Sequence, residues 1–178
     1  MRPSKPETVY TMALDIDMMS RGSQLTPEEL RSIYLDGRVS SRLTEILTSR
    51  VYDNAPAEAN QKGVDGKGTR DAKYEYKTLR RGGTEFRLSK NSGYGRTCSY
   101  RDVDDFLKSV DAVFVTDITG FPKYRFVRLR ASVLLDWHRT GILSEKGKIG
   151  YKAFWRAIEE LPDFKREAEA TWAYIYPR

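Results

Sequence analysis

Lys62-Gly63-Val64-Asp65-Gly66-Lys67-Gly68-Thr69-Arg70-Asp71-Ala72-Lys73-Tyr74-Glu75-Tyr76-Lys77-Thr78 places one acid ahead of nine intervening residues and then the triplet Glu75-Tyr76-Lys77. Its last part reads as a strand, Lys73 to Leu79, because aromatic residues alternate with charged ones. Successive side chains of a strand point to opposite faces, so Tyr74 and Tyr76 share one face while Glu75 and Lys77 share the other. Such a strand can rest its tyrosine face on a core and present a carboxylate and an ammonium together. Upstream, Gly63 to Gly66 reads as a short strand or turn. Downstream, Arg81-Gly82-Gly83 reads as a hairpin turn leading into a strand from Thr84 to Ser89.

Helix signals surround this strand cluster. Thr26-Pro27-Glu28-Glu29 combines an N-cap, a proline at the first helical position and a capping-box glutamate, predicting a helix to about Leu35 that stops at Asp36-Gly37. A second helix from Ser40 or Ser41 lines up Leu43, Ile46 and Leu47 and ends before Asn54-Ala55-Pro56. Ser99 caps a helix whose Val103, Phe106, Leu107 and Val110 follow helical spacing. Strands are predicted at Ala112 to Ile118 and Tyr124 to Arg130, and a helix capped by Ser132 runs through Trp137 to Gly141. The remaining third, with Tyr151, Phe154, Trp155, Ile158 and Leu161, reads as helical. The expected fold is one mixed α/β (α+β) domain over 1–178 with a central mixed β-sheet flanked by helices. It divides into a helical 1–53, a strand-rich 60–135 and a helical 136–178.

Composition narrows the possibilities. The 178 residues suffice for one core, and no apolar run reaches membrane-spanning length. No secretory signal pattern opens the chain, and the lone Cys98 excludes an internal disulfide, so a reducing cytoplasm is expected. One Cys and one His (His138) exclude a structural zinc site and give no nucleophilic pair. Between residues 61 and 101 there are eleven Lys/Arg against four Asp/Glu, a surplus of +7 in a chain of net charge +6. That field gathers around the candidate acids and suits a polyanion, nucleic acid first.

Phosphodiester hydrolysis needs a cation to neutralise the phosphate and help make hydroxide from water. Magnesium is held by one or two carboxylates. A lysine beside them can position the attacking water and steady developing charge. Asp65, Glu75 and Lys77 supply these parts. Followed by the hydroxyl residue Thr78, they resemble the PD-(D/E)xK nucleases, and in particular small type II restriction endonucleases; Val64 stands where the family name has proline. The resemblance firmly covers residues 63–78. It implies a restriction-endonuclease-like core, Asp65 and Glu75 as metal-binding acids, Lys77 as the catalytic lysine, and Mg2+-dependent cleavage of double-stranded DNA by a homodimer. On that reading 60–135 is the catalytic core, and the first two helices supply the dimer contacts. Glu45, opposite the apolar stripe of the second helix, is a further metal candidate, since helix glutamates sometimes reach this region in the family.

Arg80, Arg81, Lys90 and Arg96 are expected to contact phosphates, and Asn91, Ser92 and Tyr94 to contact the groove. Two pairs rival Glu75-Lys77. Asp163-Phe164-Lys165 falls in a predicted helix, where i and i+2 do not share a face. Asp71-Ala72-Lys73 leaves only a tight span back to Asp65. Gly66-Lys67-Gly68-Thr69 lacks the spacing of a phosphate loop. Two alternatives stand beside the restriction enzyme. One is a non-catalytic helix-turn-helix regulator reading bases through Ser41, Arg42 and Thr44. The other is a repair or recombination nuclease on the same fold.

Overall fold

The computed structural model describes residues 8–52, 55–56, 65–67, 72–87, 97–162 and 165–169. The elements run β1 (Thr8–Ala13), α1 (Ile16–Ser23), α2 (Pro27–Tyr34), α3 (Gly37–Val51), β2 (Ala55–Pro56), β3 (Gly66–Lys67), β4 (Lys73–Leu79) and β5 (Thr84–Glu85). They continue with α4 (Tyr100–Lys108), β6 (Ala112–Asp117), β7 (Lys123–Arg130), α5 (Ala131–Arg139), β8 (Lys148–Ile149), α6 (Tyr151–Glu159) and β9 (Lys165–Glu169). Seven strands form one mixed sheet in the order β2-β3-β4-β6-β7-β1-β9, and β5 pairs with β8 in a separate ribbon. β4 lies parallel to β6, with Glu75 opposite Val113 and Leu79 opposite Asp117.

Two apolar clusters cover the two faces. One gathers Val113, Val115, Val127 and Leu129 of the sheet with Val103, Phe106 and Leu107 of α4, Leu134 and Trp137 of α5, and Phe154 and Ile158 of α6. The other gathers Met12, Tyr124 and Phe126 with Leu30 of α2 and Leu47 of α3. The apolar run Ala112–Val115, in a strand buried at every position, is what a strand covered on both sides requires. Helix α3 is also pinned by polar contacts: the Thr48 and Thr116 hydroxyls lie 2.8 Å apart, and Tyr52 donates to the Phe126 carbonyl at 3.1 Å.

The capping arguments hold at α2, where Thr26 and Glu29 close a capping box, and at α4, where Ser99 and Asp102 do the same. Other expectations need correction. Residues 1–53 are not wholly helical, because β1 runs through the sheet between β7 and β9. Residues 136–178 contain β8 and β9, so Lys165 begins a strand and not a helix. Ser132 lies inside the first turn of α5, whose N-cap is Arg130, with no side-chain capping bond. The strand after the Arg81-Gly82-Gly83 turn shrinks to Thr84–Glu85 and pairs with β8; β4 keeps only an isolated bridge, Arg80 to Gly83, across that turn. Gly83 explains the close approach: with φ of +99°, an added Cβ would sit 2.0 Å from the Ile149 carbonyl oxygen.

The sheet's main polar anchor is Asp117, which is 3% exposed. Its carboxylate accepts from the Thr119 main chain (2.9 Å) and hydroxyl (2.7 Å), Arg125 Nη2 (2.6 Å), Tyr151 Oη (3.1 Å) and Trp155 Nε1 (3.1 Å). Arg125 also lies over the Trp155 ring at 3.7 Å. Removing one partner of a buried ion pair leaves the other charge unmatched. Asp117→Ala is therefore expected to cost about 3–5 kcal/mol in urea unfolding. A loss within the ~0–1 kcal/mol of an exposed ion pair would refute this anchoring role.

Candidate active site

β4 presents the two faces that its alternation predicts. Tyr76 stacks on Phe114 of β6 at 5.4 Å between ring centroids, and Tyr74 meets the same ring edge-on at 5.1 Å. On the opposite face Glu75 and Lys77 form an ion pair, Lys77 Nζ to Glu75 Oε1 2.7 Å. Lys77 Nζ also donates to the main-chain carbonyl of Arg87 at 3.2 Å and lies 5.3 Å from the centroid of the Phe106 ring. An ammonium carries three donors, so a third remains beyond these two bonds.

Asp65 immediately precedes β3. Its main-chain N–H donates to the Tyr74 carbonyl (3.1 Å), and its Oδ2 accepts from the Tyr76 main-chain N–H (3.2 Å). These bonds continue the β3–β4 pairing and turn the Asp65 carboxyl toward Glu75. Gly66 is needed here, since a Cβ would come within 2.8 Å of the Tyr76 ring, which its stack on Phe114 holds in place. The Asp65 carboxyl is close enough to Glu75 to push the Glu75 pKa upward. The structure thus brings together the three residues singled out from the sequence, including Asp65, which the strand pattern alone could not place.

Burial raises the Glu75 pKa above the ordinary glutamate value, and the nearby Asp65 carboxyl raises it further, against the pull of the Lys77 ammonium. Burial also raises Glu45 on α3, opposed by its bond from Arg42 and reinforced by the Asp65 charge. Glu45 therefore lies within electrostatic reach of Asp65 and Lys77, with its carboxylate held by Arg42 Nη1 at 2.9 Å. Among the described residues no three Asp, Glu, His or Cys side chains converge closely enough to share a cation, so the assembled acids are Asp65 and Glu75.

A cleft of about 900 Å³ opens beside Lys77. Its charged lining is Lys77, Arg80, Arg81, Arg87 and Lys148 against one carboxylate, Glu85. Arg80 and Arg81, two of the four predicted phosphate contacts, are exposed at the turn after β4 and line the cleft. Lys90, Asn91, Ser92, Tyr94 and Arg96 lie outside the described residues, as do Gly63, Val64 and the rival Asp71. Sequence reasoning missed Lys148, Glu85 and Arg87. Glu85-Phe86-Arg87 carries a same-face charge pair at i and i+2, the same kind of signal as Glu75-Tyr76-Lys77. The Arg87 carbonyl, a main-chain group, leaves no such mark.

Of the three residues named for a helix-turn-helix, Thr44 is 4% exposed and donates to the Ser41 carbonyl at 2.8 Å. Arg42 is exposed on α3 and paired with Glu45, and only Leu35 and Asp36 separate α2 from α3. His138 is buried and stacks on Tyr100 at 3.9 Å, a structural setting. Compared with protein-family models, with curated proteins and with solved structures, the chain finds no match.

For an acid with a raised folded-state pKa, ionisation costs stability. That cost is absent below the usual carboxylate range and grows as pH rises through the raised value. Carbon-13 NMR titration of Glu75 should find it above an ordinary glutamate. Asp65→Asn should lower that midpoint and Lys77→Met should raise it. A midpoint unmoved by Asp65→Asn would refute the coupling between the two carboxyls.

Proposed function

We propose that the chain is a magnesium-dependent endonuclease that cleaves double-stranded DNA at a specific site, in the manner of type II restriction enzymes. On this reading it acts as a homodimer, each subunit cutting one strand. The observation that carries the proposal is the β3–β4 pairing that sets Asp65 beside the buried Glu75–Lys77 ion pair, with Lys77 lining a cleft rich in cations. The resemblance of Asp65…Glu75-Tyr76-Lys77-Thr78 to the PD-(D/E)xK nucleases selects the reaction.

Two carboxyls forced together inside a protein repel one another, and a cation between them would relieve that repulsion. Their hard oxygen donors suit magnesium, with Asp65 and Glu75 as the residues that would hold it and Glu45 as a nearby third acid. When bound, the ion would supply positive charge at the scissile phosphate and acidify water. Glu75 holds Lys77 in place, and the remaining N–H of Lys77 can orient a water or meet charge growing on a phosphate oxygen. The Phe106 ring beside the ammonium keeps bulk water off that side. Arg80 and Arg81 supply the phosphate contacts that set the duplex in the cleft.

Glu75→Ala or Lys77→Ala is expected to lower the rate of plasmid cleavage in magnesium by at least about a hundredfold. Both variants should remain folded at the assay temperature and DNA affinity in calcium should stay close to wild type, while removal of magnesium by EDTA should abolish cutting. A wild-type protein that cuts no plasmid or phage DNA, or a Lys77→Ala variant that cuts normally, would overturn the proposal. Cleavage confined to branched substrates would transfer the same chemistry to repair or recombination. Replacing Arg80 or Arg81 with alanine should weaken binding on all sequences alike and reduce the slope of log K against log salt by roughly one per arginine.

A further inference from the structure

We propose that Glu85 is a positioning residue for Lys77, acting through the main chain of Arg87; the inference rests on the nuclease reading for its functional consequence. Lys77 has two anchors in the structure, the Glu75 carboxylate and the Arg87 carbonyl. The second lies on the segment that follows β5, outside the main sheet. Among the described residues no bond of the β4 ladder fixes that carbonyl, so its position depends on what holds Arg87.

Glu85 holds it. Arg87 Nε donates to Glu85 Oε2 at 2.8 Å, and Arg87 Nη2 reaches the same oxygen. The other carboxylate oxygen, Oε1, takes Lys148 Nζ at 3.0 Å. Glu85 thus bridges two cations from opposite strands of the β5–β8 ribbon, where Glu85 and Lys148 face each other in register. The ribbon is continued by Phe86, whose N–H donates to the Gly147 carbonyl at 2.8 Å. Arg87 is 7% exposed, and a guanidinium that deeply buried stays only where a counter-charge meets it. Lys148 and Arg87 flank the cleft, yet their charge is partly spent on this bridge. A purely DNA-binding role for the pair would be served better without Glu85. Its presence in a cationic cleft therefore calls for another task, and the short path from Glu85 through Arg87 to the Lys77 ammonium supplies one.

The test uses the full chain with Glu85→Gln, Arg87→Gln and the double variant, and with Glu85→Asp as the conservative replacement. Accessibility of Lys77 is read by acetic anhydride labelling and mass spectrometry, with Lys108, 55% exposed, as internal reference. Glu85→Gln should raise Lys77 labelling severalfold at an unchanged Lys108 rate. In single-turnover cleavage it should slow the chemical step about 10- to 100-fold, with DNA affinity equal to or tighter than wild type. Adding it to Arg87→Gln should change neither quantity further, and Glu85→Asp should recover part of both. Unchanged Lys77 labelling in Glu85→Gln, or additive effects in the double variant, would overturn the inference. Should the wild-type protein cleave no DNA, the nuclease reading falls while the labelling still decides whether Glu85 positions Lys77.

Discussion

The parallel pairing of β4 with β6 is the constraint from which the rest of the molecule follows. It places a strand carrying Glu75 and Lys77 inside the sheet, between β3 and β6, with apolar layers on both sides. A charged pair in that position cannot be hydrated from either face, so its solvation must come from the protein or from the end of the strand where the cleft opens. Tyr74 and Tyr76 close the other face against Phe114, which prevents β4 from slipping by one residue. A slip would exchange the charged and aromatic rows and bury neither well.

Two buried acids on neighbouring strands show how different such burial can be. Asp117 is met by an arginine, a tyrosine, an indole and a threonine, so each of its oxygens is satisfied and the carboxylate acts as a rivet. Glu75, four register positions away, has a single lysine and a second carboxyl for neighbours. A fold that can satisfy Asp117 so completely has the means to satisfy Glu75. Leaving it in repulsive company costs stability, which the setting of Asp117 does not.

How legible this was from the residues depends on range. Helices with local capping boxes, at Thr26 and Ser99, and the strand Lys73–Leu79 could be read from a few adjacent side chains, and so could the shared face of Glu75 and Lys77. Asp65 could be nominated by its distance from Glu75 along the chain, but its orientation depends on main-chain bonds across β3 and β4 and on the missing Cβ of Gly66. β1 and β9 were hidden because their pairing partners lie far away in sequence, and their own residues lack a strong alternation. The ribbon of β5 and β8 is made of two-residue strands whose only signature is a close approach at Gly83.

The cleft also has a temporal property. Its walls come from Leu35, from the 77–87 segment and from Lys148 to Gly150, so it spans well over half the chain. A ribosome delivers those parts in order, the α2 end first and the β8 wall last. While the protein is being made, β4 and its charged pair emerge without the wall contributed by β8. A shortened product of interrupted translation that stopped before Lys148 would carry Asp65, Glu75 and Lys77 yet have no complete groove to hold a large anion beside them. The groove is thus complete only when residues 148–150 have joined walls made much earlier in the chain.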